Sequence, residues 1–112
     1  MTVETSPNHE NPSLRTISVP TRKEDIFGAA REMIDDLQGW EVVSADEEKL
    51  EITCRKKGGV LGGTATIVVS VSGPDGIPSA TVNVRSTTEG GLLARDKANV
   101  MEFVKPFHRR VC

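Results

Sequence analysis

A chain of 112 residues has the surface-to-volume ratio of one domain with a single modest core and leaves no room for a second. A net charge of −2 and an isoelectric point near 5.7 remove the broad positive field that draws proteins to nucleic acid or to an anionic membrane. With one tryptophan, three phenylalanines and no tyrosine, stacking on single-stranded bases is a poor reading as well.

Residues 1–13, MTVETSPNHENPS, hold Pro7, Asn8, Asn11 and Pro12 with almost nothing apolar, which predicts a disordered tail ahead of one α+β domain spanning 14–112. The opening lacks the basic start and apolar run of a secretory leader, and no later stretch reaches bilayer-spanning length. A cytoplasmic protein without a membrane partner is the expectation. LRTISV, ended by Pro20, predicts an edge strand with Ile17 and Val19 on one side. Thr21 and Glu24 have the spacing of a capping box. Behind them Ile26, Ala30, Met33 and Leu37, widened by Phe27 and Ile34, predict a helix over 22–38 that Gly39 ends by turning left-handed.

WEVVSA, the turn DEEK at 46–49 and LEITCR form a predicted hairpin, with Leu50, Ile52 and Cys54 on its buried face. Cys54 reads as a small core residue and Cys112 as an incidental thiol; two cysteines in such unlike contexts make no disulfide framework. After KKGGVLGG, the stretch TATIVVSVS places Ala65, Ile67, Val69 and Val71 on one face. GPDGIP turns the chain, and SATVNVRST puts Ala80, Val82 and Val84 inward and Thr81, Asn83, Arg85 and Thr87 outward. Leu93, Lys97, Val100, Val104, Phe107 and Val111, joined by Met101 and Phe103, predict a second helix that bends or frays near Pro106.

The predicted order is β-α-β-β-β-β-α: an antiparallel curved sheet, both helices on its one apolar face, and a threonine-rich polar face left open or shared with a partner. This order resembles the TATA-binding-protein-like and Bet v 1-like helix-grip topologies, in which a sheet wraps a long C-terminal helix. Strand ends alternate in a meander, so the loop holding Gly59 and Gly62, the corner holding Gly91, Trp40 and the start of the second helix are expected at one end. Exposed helix N–H groups and glycine backbone there suit an anion, with Lys56, Lys57 and Arg95 in support. Val60, Leu61, Leu92 and Leu93 suit instead the mouth of an apolar cavity. A hairpin and a corner that simply need glycine geometry are the plain alternative.

Catalytic and metal constellations are missing from the sequence. His9 falls in the expected tail, His108 lies near the chain end, and the pairs Asp35-Asp36 and Glu47-Glu48 read as solvated surface. Only His108 and Cys112 share ligand spacing, so no metal and no cofactor is expected.

The run EVVSADEEKLEITCR, then a hairpin, then VNVRSTTEGG with a later Asp and Asn, resembles a bacterial family of small domains of unknown function. That family's pattern is D-V-R-S, a Ser-Arg pair, a glycine and a D-x-G-x-N that opens the last helix. The resemblance makes Asn83, Val84, Arg85, Ser86, Gly91, Asp96 and Asn99 the counterparts and implies Arg85, Asp96 and Asn99 as site residues, without an activity. Thr88-Glu89 stands where Ser-Arg is expected. Arg85 paired with Glu89 or Asp96 would fix the corner without any ligand. The leading expectation is thus a non-enzymatic binding or interaction domain that self-associates through its open sheet face. A carrier of a small apolar or anionic ligand, using Trp40, Lys57, Gly59, Gly62, Arg85, Glu89, Gly91, Arg95, Asp96 and Asn99, is the alternative. An enzyme sited at the same end ranks third.

Overall fold

Period-two alternation builds most of the frame. The structure, a computed structural model, describes residues 2–57, 63–89 and 95–111. Its elements in chain order are β1 (Thr2–Glu4), a single 3-10 turn (Pro12–Leu14), β2 (Ile17–Val19), α1 (Lys23–Asp36), β3 (Trp40–Asp46), β4 (Glu51–Lys57), β5 (Thr64–Ser72), β6 (Ala80–Glu89) and α2 (Asp96–Val111). The strands form one antiparallel sheet in the order β1-β6-β5-β4-β3, and β2 also pairs with β6. Ile52, Cys54, Ala65, Ile67, Val69, Val71, Ala80, Val82 and Val84 are all buried on its inner face, as their alternation requires. Both helices cover that face: α1 packs on β3, β5 and β6, α2 packs chiefly on β6, and the two helices touch. The fold is α+β with an open antiparallel sheet and two helices, in the expected order from Ile17 onward.

Two local expectations need correction. Residues 1–13 were expected as a tail, yet β1 pairs Thr2 with Thr87, Val3 with Ser86 and Glu4 with Arg85, beside the pairing of Ile17 with Val82 in β2. Residues 5–16 thus loop out of an interrupted edge strand whose gap on β6 is only Asn83 and Val84. The segment is too polar to order by itself, but the edge of β6 offers unpaired backbone groups that a few residues can complete. Thr5 strengthens the join: its N–H donates to the Val84 carbonyl at 2.9 Å, its hydroxyl donates to Asn83 Oδ1 at 2.6 Å, and that hydroxyl accepts from Val84 N at 3.0 Å. Leu14, on the 3-10 turn, is buried and plugs the loop onto the core.

The second correction concerns α1. The capping box does not form: Arg22 occupies the cap position without a side-chain hydrogen bond, and Glu24 and Asp25 complement the positive helix end instead. Gly39 does take a φ of +83°, as the stop signal requires. At the other hairpin end Asp46 Oδ1 accepts from the N–H groups of Glu48 and Lys49, both at 3.0 Å, which fixes the DEEK turn.

α2 runs unbroken across Pro106 to Val111. Val100, Phe103, Val104 and Phe107 face the core, whereas Lys97 is exposed. In place of Lys97 the first turn buries Asp96 and Asn99. These two buried polar residues define the candidate site.

Candidate functional site

Register shows what meets at the end of the sheet. Trp40 pairs with Lys56, Lys56 with Ala65, and Ala65 with Thr88, giving a row that faces α2. The next row inward holds Val42, Cys54, Ile67 and Ser86. Lys57 pairs with Thr64 and Thr64 with Glu89, so these strand ends lie side by side. The meander therefore does bring the ends of β4, β5 and β6 together with Trp40 and the start of α2. Gly59, Gly62 and Gly91, like Val60, Leu61, Leu92 and Leu93, lie outside the described residues.

Beneath the first turn of α2 sits a buried polar cluster. Ser86 Oγ donates to Asp96 Oδ1 at 2.7 Å, Thr88 Oγ1 donates to the same oxygen at 2.5 Å, and Asn99 Nδ2 donates to Ser86 Oγ at 3.4 Å. Asp96 is 1% exposed, and its Oδ2 has no hydrogen-bond partner among the described residues. Spacing i, i+3 sets Asp96 and Asn99 on one helix face, and the first-turn position lets the helix dipole favour the carboxylate. The hydroxyls come from β6, whose inward positions turn from Ala80, Val82 and Val84 to Ser86 and Thr88 as the strand nears α2.

A second polar group pins the far side. Trp40 Nε1 donates to Glu102 Oε1 at 2.8 Å, and Lys56 Nζ donates to Glu102 Oε2 at 2.6 Å. The Trp40 ring lies 6.2 Å from that of Phe103, which lies 5.0 Å from Phe107, so an aromatic file continues the clamp into the core.

The expected site residues divide by sheet face. Trp40, Asp96 and Asn99 face inward and are buried; Lys57, Arg85 and Glu89 face outward and are exposed, as is Arg95 just before α2. The proposed pairing of Arg85 with Asp96 or Glu89 is not made. The ion pairs among the described residues are Lys23 with Asp75, Arg31 with Glu47 and Lys56 with Glu102. Opposite sheet faces separate Arg85 from Asp96, and four residues of extended strand put Glu89 roughly 13 Å along from it. Lys56, considered for an anion, is held by Glu102 instead. Ser86 and Thr88 continue the alternation of β6 and could have been found from it. Glu102 and Thr5 carried no such signal.

Other features stand apart from this end. A groove of about 300 Å³ runs between Pro12, Ser13, Val104, Lys105, His108 and Arg109, and one of about 360 Å³ lies among Glu24, Phe27, Gly28, Arg31, Glu47 and Leu50. Cys54 is fully buried, and loss of solvation pushes its thiol up to about 11, the reverse of what a nucleophile needs. No three His, Cys, Asp or Glu side chains gather as a cation set among the described residues, and no described helix is long and apolar enough to cross a membrane.

An open antiparallel sheet, two helices on one face and a long C-terminal helix held against it define the Bet v 1-like helix-grip fold. The chain is similar in structure to the crystal structure of Ara h 8.0201, a Bet v 1-like protein, with a TM-score of 0.53 and 15% sequence identity over 99% of this chain and 97% of that chain. At that identity the likeness is one of fold. No family model matches the sequence, and no curated protein matches it. The helix-grip resemblance is thereby supported, while the bacterial signature gains no family match.

Proposed function

We propose that this domain is a non-enzymatic carrier that holds a small molecule between the first turns of α2 and the Trp40–Lys56–Ala65–Thr88 end of the sheet. One observation carries the reading: the Asp96, Ser86, Thr88 and Asn99 cluster is buried there yet leaves Asp96 Oδ2 without a partner. A buried polar group left unpaired costs about 1–3 kcal/mol, so a corner serving only to turn the chain is better built from apolar residues. Ala65, Ser86 and Thr88 are also small, which limits the side-chain volume beneath the helix. Similarity to a Bet v 1-like structure suits a site between sheet and C-terminal helix, a common place for small ligands.

The carrier reading displaces self-association as the leading one. On the outer face Thr2 and Thr87 hydroxyls meet at 3.1 Å, those of Ser18 and Thr81 at 3.3 Å, and Asn83 Nδ2 donates to Glu4 Oε2 at 2.7 Å. Side chains that satisfy one another across strands suit a hydrated face. A reducing, cytoplasmic setting fits the buried thiol of Cys54. The test is an amide and indole chemical-shift map during titration with primary amines, alcohols and fatty acids. Trp40, Ser86, Thr88 and Asn99 are expected to shift while Thr66 and Arg85 stay fixed. Shifts confined to the outer face, or none with any of the three classes, would sink the carrier reading.

A further inference from the structure

The geometry points to a ligand whose head group donates hydrogen bonds, a primary ammonium in preference to a carboxylate, with Asp96 Oδ2 as its acceptor. This rests on the carrier reading above and names the chemistry of that site. Both hydroxyl donors of the cluster are already spent on Asp96 Oδ1, and the Ser86 hydroxyl is locked in that direction because its oxygen also accepts from Asn99. The position that stays open is an acceptor, Oδ2, on a side chain 1% exposed. None of the three ion pairs among the described residues involves Asp96, and the ammonium of Lys56, in the row of Thr88 but two strands along, is engaged by Glu102 at 2.6 Å. An anionic head group would meet the Asp96 carboxylate itself at the helix start, the place where backbone N–H groups would otherwise have held it. A buried carboxylate that lacks a cation gains more from a charged donor than from a neutral one.

The experiment uses the full chain and three probes of equal length: hexylammonium, hexanol and hexanoate. Affinities are read from Trp40 fluorescence and located by the shifts of the Asn99 side-chain amide and the Ser86 and Thr88 backbone amides. Hexylammonium is expected to bind about tenfold more tightly than hexanol, the usual margin of a charged over a neutral hydrogen bond, and hexanoate more weakly than both. Asp96→Asn is expected to erase the ammonium preference, bringing the hexylammonium and hexanol affinities to within about twofold of each other. Hexanoate matching hexylammonium, or an unchanged preference in Asp96→Asn, overturns the head-group assignment but leaves the carrier reading standing. Absence of shifts at Asn99, Ser86 and Thr88 with all three probes removes the carrier reading itself. Should Asp96→Asn fail to fold, the ranking of the three probes on the unmodified protein decides alone.

Discussion

Replacing Glu102 tests whether a polar clamp holds the far side of the site shut. Its carboxylate receives the indole N–H of Trp40 at 2.8 Å and the ammonium of Lys56 at 2.6 Å, from two strands at once. The two contacts differ in worth. Trp40 is 9% exposed, so in Glu102→Ala its N–H loses a charged acceptor with little water to replace it, a loss of about 1.5–3 kcal/mol. The side chains of Lys56 and Glu102 are 22% and 36% exposed, which holds their ion pair to roughly 0.2–1 kcal/mol. Glu102→Ala is therefore expected to cost about 2–3 kcal/mol, whereas Glu102→Gln, which keeps an acceptor for the indole, costs about 1 kcal/mol. Urea unfolding followed by fluorescence of the single tryptophan, with far-ultraviolet circular dichroism in parallel, measures both, and the slope with denaturant should not change. Equal losses in the two variants would refute the assignment of the larger share to the indole. Stabilities within about 0.3 kcal/mol of the parent for both would refute the clamp altogether.

Three further outcomes follow from single residues. A Cβ on Gly73 would lie 2.2 Å from the Ser79 carbonyl oxygen, so Gly73→Ala should lower stability by about 1–3 kcal/mol, while Gly28→Ala, open on α1, should be neutral or stabilising by up to about 1 kcal/mol; paired thermal melts decide. Burial raises the Cys54 thiol from 9.0 to about 11, so the stability it contributes is whole below pH 9 and falls as pH rises toward 11. Its reaction with an aromatic disulfide at neutral pH should track the opening rate and accelerate in urea. Thr5→Val strips β6 of both the donor to Asn83 and the acceptor for Val84 N, and a loss of about 1–3 kcal/mol with faster amide exchange at Val84 is expected. Unchanged exchange there would show that the edge is held by backbone pairing alone.

What was legible in the sequence follows what each signal measures. Hydrophobic alternation reports transfer free energy, so it located the inner faces of β4, β5 and β6 wherever those faces are apolar. It fell silent at Lys56, Ser86 and Thr88, where the backbone keeps its period but the side chains become polar. The N-terminal residues misled for a related reason. Composition judges whether a segment can pay for its own ordering, and Thr2–Glu4 cannot; their order comes from the open edge of β6, which is not a property of those residues.

The same logic locates the site. A core position filled by apolar residues is overdetermined, since pattern, burial and packing all name it together. The Asp96 cluster is not: two of its members look like a polar helix start, and the other two keep the inward register of β6 with side chains that hydrophobicity does not pick out. Only pairing across ten residues between β6 and α2 shows that the four face inward together. Against that frame, an oxygen left without a partner where three neighbouring side chains have found theirs marks the place where local stability and the arrangement of the chain part company.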